Sequence, residues 1–401
     1  PVNYSLRDGS GLAANYSLAD ETLTATITPK ALSISGSSAA NKIYDGTNSA
    51  AVTAGTLGSL VGSETVSVSA SGTYASVNVG SGINVTASYS LSDGSGLASN
   101  YTLANETLAS DITARALTIS GSSAANKTYD GTNSATITAG TLANLVSGET
   151  LSVAGSGSFA SVNVGGGINI STSYSLSDGT GTASNYTLAG ETLSADITAR
   201  ALTISSSSVA SKSYDGTNSA AITAGTLGNL VSGESLNVTA SGSFASVNVG
   251  NGINVGASYS LSDGSGAASN YTLAGETLTG NITARALTIS GSAVASKTYD
   301  GTNSASITAG TLGNLVSGET VSVTGSGSFA SVNAANGINV STSYSLSDGS
   351  GAASNYSLAS ETLTGNITQK TLAVTGSTAS DKVYDASTSA SVSAGTLVGM
   401  V

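Results

Sequence analysis

The chain has 401 residues, no cysteine, no histidine, a formal charge of −12 and only 8% charged residues. These absences exclude disulfides, thiol nucleophiles, imidazole bases and the common zinc ligand sets, and its 11 lysines and arginines form no cluster that would present a basic face to nucleic acid. A mean hydropathy of +0.17 and regularly alternating β-branched residues argue for folded strands rather than a disordered Ser/Thr/Gly-rich tract.

Self-similarity organises everything else. "NKIYDGTNSA" starts at Asn41, "NKTYDGTNSA" at Asn126, "SKSYDGTNSA" at Ser211, "SKTYDGTNSA" at Ser296, and a decayed "DKVYDASTSA" at Asp381, each 85 residues after the last. "SDG" or "RDG" keeps the same step at Asp8, Asp93, Asp178, Asp263 and Asp348, and "NYSL" or "NYTL" does so at Tyr16, Tyr101, Tyr186, Tyr271 and Tyr356. A unit of 85 residues exceeds the usual solenoid repeat and suits a small domain with its own core. The register divides the chain into a C-terminal part of a repeat (1–28), four complete repeats (29–113, 114–198, 199–283, 284–368) and an N-terminal part of another (369–401). No signal peptide, membrane-spanning run or anchor is read in these residues.

The copy at 114–198 predicts its strands in order. "ALTIS" puts Leu117 and Ile119 on one face, and "ATIT" carries Ile137. "TLANLVSGE" offers at most one helical turn, bracketed by Gly140 and Gly148. "ETLSV" pairs Leu151 with Val153, and "SFASVNV" supplies Phe159, Val162 and Val164. "INISTSYSL" aligns Ile168, Ile170, Tyr174 and Leu176, and "ETLSADIT" aligns Leu193, Ala195 and Ile197. Period-two alternation buries one face of each run and leaves Ser and Thr on the other. "NVGGGIN" and "LSDGTG" supply the positive-φ residues of turns. Six or seven short strands at this turn spacing predict an all-β array of Ig-like antiparallel β-sandwich domains. A β-grasp-like unit is the alternative. Across "TARA" the alternation changes face, which predicts a bend or bulge in a nearly continuous strand between repeats and so a semi-rigid rod.

Two kinds of tyrosine recur. Tyr44–Asp45–Gly46, Tyr129–Asp130–Gly131, Tyr214–Asp215–Gly216 and Tyr299–Asp300–Gly301 read as structural turns, with the ring beneath the turn, the Asp accepting from turn amides and the Gly at positive φ. Tyr16, Tyr101, Tyr186, Tyr271 and Tyr356, each after a small-residue corner, are candidates for a tyrosine corner whose phenol bonds backbone. Asp130, Glu149, Asp178 and Glu191, with their equivalents in other copies, are the calcium candidates, although no EF-hand spacing holds them. Otherwise no cofactor is expected. Lys42, Lys127, Lys212, Lys297 and Lys382 raise the idea of an isopeptide cross-link; their place before the turn predicts exposure and argues against it. Nothing places two carboxylates in a cleft or builds a Ser–Lys dyad, so no catalytic residue is assigned. Outward threonines in runs such as "TLTATIT" are ordinary strand propensity rather than an ice- or sugar-binding face.

The phrases K-x-YDGT, SFASVNVGxGINV, YSLSDGSGxASNYTL and ITARALTI, spanning the whole chain, resemble the YDG/MBG-type repeats of very large bacterial surface proteins. Such repeats occur in filamentous-haemagglutinin-like adhesins, many of the two-partner secretion type. The resemblance implies an extracellular, cell-surface location in a Gram-negative bacterium and a stalk role, with adhesive tip and secretion domain outside these residues. It carries over no binding residue. The expected function is a non-catalytic structural stalk that projects a tip or mediates cell–cell or biofilm contact. The alternative is a multivalent glycan- or protein-binding module, disfavoured by turn tips poor in aromatics and Arg. Lateral self-association into fibres through lightly charged strand edges is a further expectation. Host or bacterial ligands are expected to act through regions outside this sequence, with no nucleic acid partner.

Overall fold

The computed structural model describes residues 2–401. It falls into two compact units, 1–198 and 199–401, and each unit holds two complete repeats.

The 114–198 repeat illustrates how the sequence becomes structure. Its strands are β1 (Arg115–Ser120), β2 (Ser123–Ala124), β3 (Lys127–Thr128), β4 (Ser134–Thr138), β5 (Thr141–Ala143), β6 (Leu151–Phe159), β7 (Gly165–Asp178), β8 (Tyr186–Leu188) and β9 (Thr192–Thr198). A three-residue 3-10 turn, Ala183–Asn185, precedes β8. The long antiparallel pair β6–β7 runs in unbroken register from Leu151↔Asp178 to Phe159↔Ile170. Around it forms a six-stranded sheet in the order β2-β4-β6-β7-β9-β3, faced by a three-stranded sheet in the order β5-β1-β8. Each repeat is thus an all-β sandwich. Its long strands are antiparallel, and two short parallel pairings join them: β1 with β8, and β3 with β9.

The alternation predicted from the sequence places the core. Phe159, Ile170 and Ile197 are 3% exposed or less, each burial contributing about 1.5–3 kcal/mol. Gly155 and Gly157 lie on the inner face of β6, where a Cβ at Gly157 would stand 2.8 Å from Ile137 and Ile170. A side chain at Gly157 would crowd β4, and glycine stands at that position in all four complete repeats, whereas Ala70 and Ala240 occupy the place of Gly155. The β7–β9 register slips between Gly165 and Ile168, a bulge housing Gly167 at φ +60.

"TLANLVSGE" makes no helical turn. Asn144 takes φ +72 after β5 and Gly148 takes φ +85, so a reverse turn closes with Glu149 N–H donating to Val146 C=O. Asn144 is fixed there because its amide donates to Ala116 C=O, while Arg115 donates to its carbonyl and side-chain oxygens, each at 2.7 Å. Where the sequence predicted a bend between repeats, the strand Glu106–Thr113 and β1 are separated by Ala114 alone.

The 29–113 repeat has the same plan, with Val66–Tyr74 and Gly80–Asp93 as its long pair. In the second unit the long pairs are Leu236–Phe244 with Gly250–Asp263 and Val321–Phe329 with Ala335–Asp348. Residues 2–28 form one isolated bridge, Val2 with Glu21, and a short 3-10 turn. Residues 369–401 form two short antiparallel pairs.

Candidate functional site

The Tyr-Asp-Gly phrase begins as a turn. Asp45 Oδ1 accepts from Thr47 N–H and Thr47 O–H, both at 2.9 Å, and Gly46 sits at φ +76. Gly131, Gly216 and Gly301 match it at φ +77, +76 and +80, and Ala386 is held at φ 61 in the decayed copy. The lysine two residues before the tyrosine is not exposed as its position suggested. Lys42 has a side-chain exposure of 16%, its ammonium lies 5.4 Å from the Tyr74 ring centroid, and it contacts Asp45 Oδ1 at 2.7 Å and Thr47 C=O at 2.6 Å. The ammonium sits over an aromatic ring while the turn oxygens hold it. The same pair recurs as Lys127–Asp130, Lys212–Asp215, Lys297–Asp300 and Lys382–Asp385. At Asp215, burial opposes ionisation but the Lys212 ammonium and the Thr217 donors outweigh it and hold the carboxyl down at about 2. Lys297, then Thr302, holds Asp300 down to about 2 as well. The Lys42 amine is engaged by Asp45 and Thr47 of its own turn, and among the described residues no asparagine is its hydrogen-bond partner, as a Lys–Asn isopeptide would need.

The tyrosine itself does not tuck beneath its own turn. Tyr44, 4% exposed, reaches into the following repeat and donates to Glu149 Oε1 at 2.6 Å. Tyr186 donates to Glu149 Oε2 at 2.7 Å, and the two rings meet edge to face at 5.3 Å. One carboxylate is therefore gripped by two phenols from successive repeats. Such a ring pair adds about 0.5–1.5 kcal/mol beyond its buried area. Tyr186 also accepts from Val146 N–H at 3.1 Å, 40 residues upstream. Beside this grip, buried Asn185 accepts from Val79 N–H and donates to Asn78 Oδ1, both at 2.9 Å. Gly46 closes the contact, since a Cβ there would be 3.0 Å from Val146.

The second unit builds the same joint. Tyr214 and Tyr356 donate to the two oxygens of Glu319 at 2.7 and 2.6 Å, and their rings stand 5.4 Å apart. Asn355 accepts from Val249 N–H and donates to Asn248 at 2.9 and 3.0 Å. Arg285 adds a bond to the Tyr214 carbonyl at 3.4 Å. Burial first, then the bonded carboxylate, pushes the Tyr44 phenol up to about 12. Glu319 first, then burial, does the same to Tyr214, also to about 12.

The remaining sequence candidates lie as follows. Tyr101 and Tyr271 each accept from a backbone N–H 40 residues upstream and donate to Glu64 and Glu234 respectively, and Tyr356 accepts from Val316 N–H. Tyr16 is 70% exposed, and the position 40 residues upstream of it lies outside this sequence. Tyr129 donates its N–H to Thr198 C=O, and Tyr299 lines a cleft with Leu372, Met400 and Val401. The calcium candidates are not brought together. Asp130 holds its own turn, Glu149 sits in the joint, Asp178 caps Ala183 N–H, and Glu191 receives the Tyr174 phenol. Among the described residues no group of three or more Asp or Glu converges as a metal site would require. Sequence reasoning missed Asn185 and Asn355, whose only signal was their place before the tyrosine in "NYTL" and "NYSL".

Sandwich repeats docked through a shared acid and paired tyrosines define a tandem β-domain protein of repeat-module type. A family model for the YDG domain matches residues 28–108, 113–194, 198–279 and 283–363, and the chain belongs to that family. No curated protein matches the chain. Among solved structures, the crystal structure of Drosophila N-cadherin EC1-4 is similar over 88% of this chain and 94% of its own, at 10% identity and a TM-score of 0.22. Among the described residues no helix is long and apolar enough to cross a membrane.

Proposed function

We propose that this chain is a non-catalytic structural spacer of a bacterial surface protein, a stalk whose repeats hold an adhesive region away from the cell. The observation that carries the reading is the joint. Tyr44, Glu149, Tyr186 and Asn185 bury a specific polar and aromatic contact between repeats that needs no ligand to complete it. Residues devoted to fixing one repeat on the next suit a spacer better than a string of independent binding modules. The spacer works without bound calcium, since each recurrent acid already has a protein partner. It acts outside the cell, and its ligands are engaged by other parts of the parent protein.

A chain without cysteine allows a clean test. Spin labels at Ser71→Cys and Ser156→Cys report the distance between the 29–113 and 114–198 repeats by pulsed dipolar spectroscopy. A narrow distribution that broadens with Glu149→Ala supports the spacer. A broad distribution in the unmutated joint would sink it, and binding by individual repeats would become the better account.

A further inference from the structure

The fold is antiparallel wherever its strands are long, yet in each complete repeat the strands nearest the two chain ends pair in parallel. In the 114–198 repeat, β1 lies parallel to β8 with Arg115↔Tyr186 and Leu117↔Leu188, and β3 lies parallel to β9 with Lys127↔Ile197 and Thr128↔Thr198. β1 and β3 are tied to the incoming chain, and β8 and β9 to the outgoing chain. Tension between the ends of a repeat drags β1 and β3 backwards and β9 forwards. Parallel partners pulled from opposite ends slide along each other, so all their hydrogen bonds are loaded together. An antiparallel hairpin pulled at its open end instead parts one bond at a time.

The β3–β9 pairing is reinforced beyond its ladder. Tyr129 N–H donates to Thr198 C=O at 2.9 Å and the Thr198 hydroxyl to Lys127 C=O at 3.3 Å. Asn126, just before β3, accepts from Asp196 N–H at 2.8 Å. The other repeats match, with Tyr44, Tyr214 and Tyr299 N–H each 2.9 Å from Thr113, Thr283 and Thr368 C=O. The Tyr-Asp-Gly tyrosine thus holds this clamp with its amide, and Tyr44 and Tyr214 hold the next repeat with their phenols.

We propose that each repeat is a tension-bearing module whose resistance resides in the parallel β3–β9 and β1–β8 pairings. The proposal rests on the spacer reading and adds that the spacer carries load. The sequence contains its own graded series. Asn41 accepts from Asp111 N–H and the Ser110 hydroxyl, and Asn126 from Asp196 N–H. Ser211 and Ser296 stand at those positions in the second unit, where no side-chain bond spans the two strands from that residue among the described residues. The 29–113 and 114–198 repeats are therefore the stronger pair.

The test is single-molecule extension of the full 401-residue chain held at its termini. The expected trace has four opening events, each releasing about 300 Å of chain (85 residues at roughly 3.6 Å), in a weaker pair followed by a stronger pair. Asn41→Ser with Asn126→Ser brings the stronger pair down to the level of the weaker. Ile137→Val, which trims packing of β4 against Gly155 and Gly157 on β6 and touches neither parallel pairing, lowers thermal stability and leaves the opening force unchanged. Handles on Ser152→Cys and Ser177→Cys, a register pair on β6 and β7, open the same repeat by peeling at a severalfold lower force. Gradual extension without discrete events, equal forces for shearing and peeling, or forces insensitive to the two Asn→Ser changes would each overturn the proposal. The spacer reading would then stand or fall on the spin-label distances alone.

Discussion

At the scale of single residues, Glu149 and Glu319 hold the joints. Truncating Glu149 to Ala strands two buried phenols, and an unsatisfied buried polar group costs on the order of 1–3 kcal/mol. Glu149→Ala and Glu319→Ala are each expected to lower the stability of their own unit by that order, read from denaturant midpoints. Alkali tests the same contact. The Tyr44 and Tyr214 phenols titrate at about 12 when docked and near 10 when free. Their contribution is complete below about pH 10 and is lost as the pH rises towards about 12. Phenolate absorbance should show delayed titration that Glu149→Ala advances for Tyr44. That this carboxylate binds the tyrosine of the preceding copy was not legible in the sequence. Glu64 and Glu149 are one 85-residue step apart, so a bond within a repeat and a bond to the next leave the same periodic trace. The lysines misled for a different reason: exposure inferred from a turn ignores the aromatic ring that β6 and its equivalents place beneath the ammonium.

At the scale of elements, legibility was high where alternation sets the buried face. Phe159, Ile170, Ala195 and Ile197 lie in the core as period two predicted. The two parallel pairings left no such trace, because β3 and β8 are two and three residues long and hold their places by hydrogen bonds rather than pattern. Small residues also mark close approaches. At Gly140, Gly225 and Gly310 an added Cβ would lie within about 2 Å of the carbonyl oxygen of Ser120, Ser205 and Ser290. Overpacking of this kind typically costs about 1–3 kcal/mol. Gly140→Ala should lower the melting temperature of the first unit, whereas Gly121→Ala, with open space but φ +78, should lower it less.

At the scale of the whole chain, the absence of a converged acid cluster among the described residues predicts that a chelator leaves the melting temperature and circular dichroism unchanged; a fall on calcium removal would return the recurrent acids to the role of ligands. Acid should act through the Lys–Asp turns. Their carboxyls lie below the ordinary range, Asp215 and Asp300 at about 2. Their stabilisation is complete above the unfolded value of about 3.9 and is lost as the pH falls to about 2, a window that melting curves at about pH 5, 3 and 2 would bracket. The joint has one further consequence, at the level of the gene. Each complete repeat carries the same Tyr-Asp-Gly tyrosine and the same Glu–Tyr pair, the two halves of the joint seen inside each unit. If recombination excised residues 114–198 in frame, Tyr44 would face Glu234 and Tyr271, chemically the partners it has now. Duplication or loss of a whole repeat that recreates such a joint therefore needs no compensating mutation, and length can change between generations without a new contact being invented.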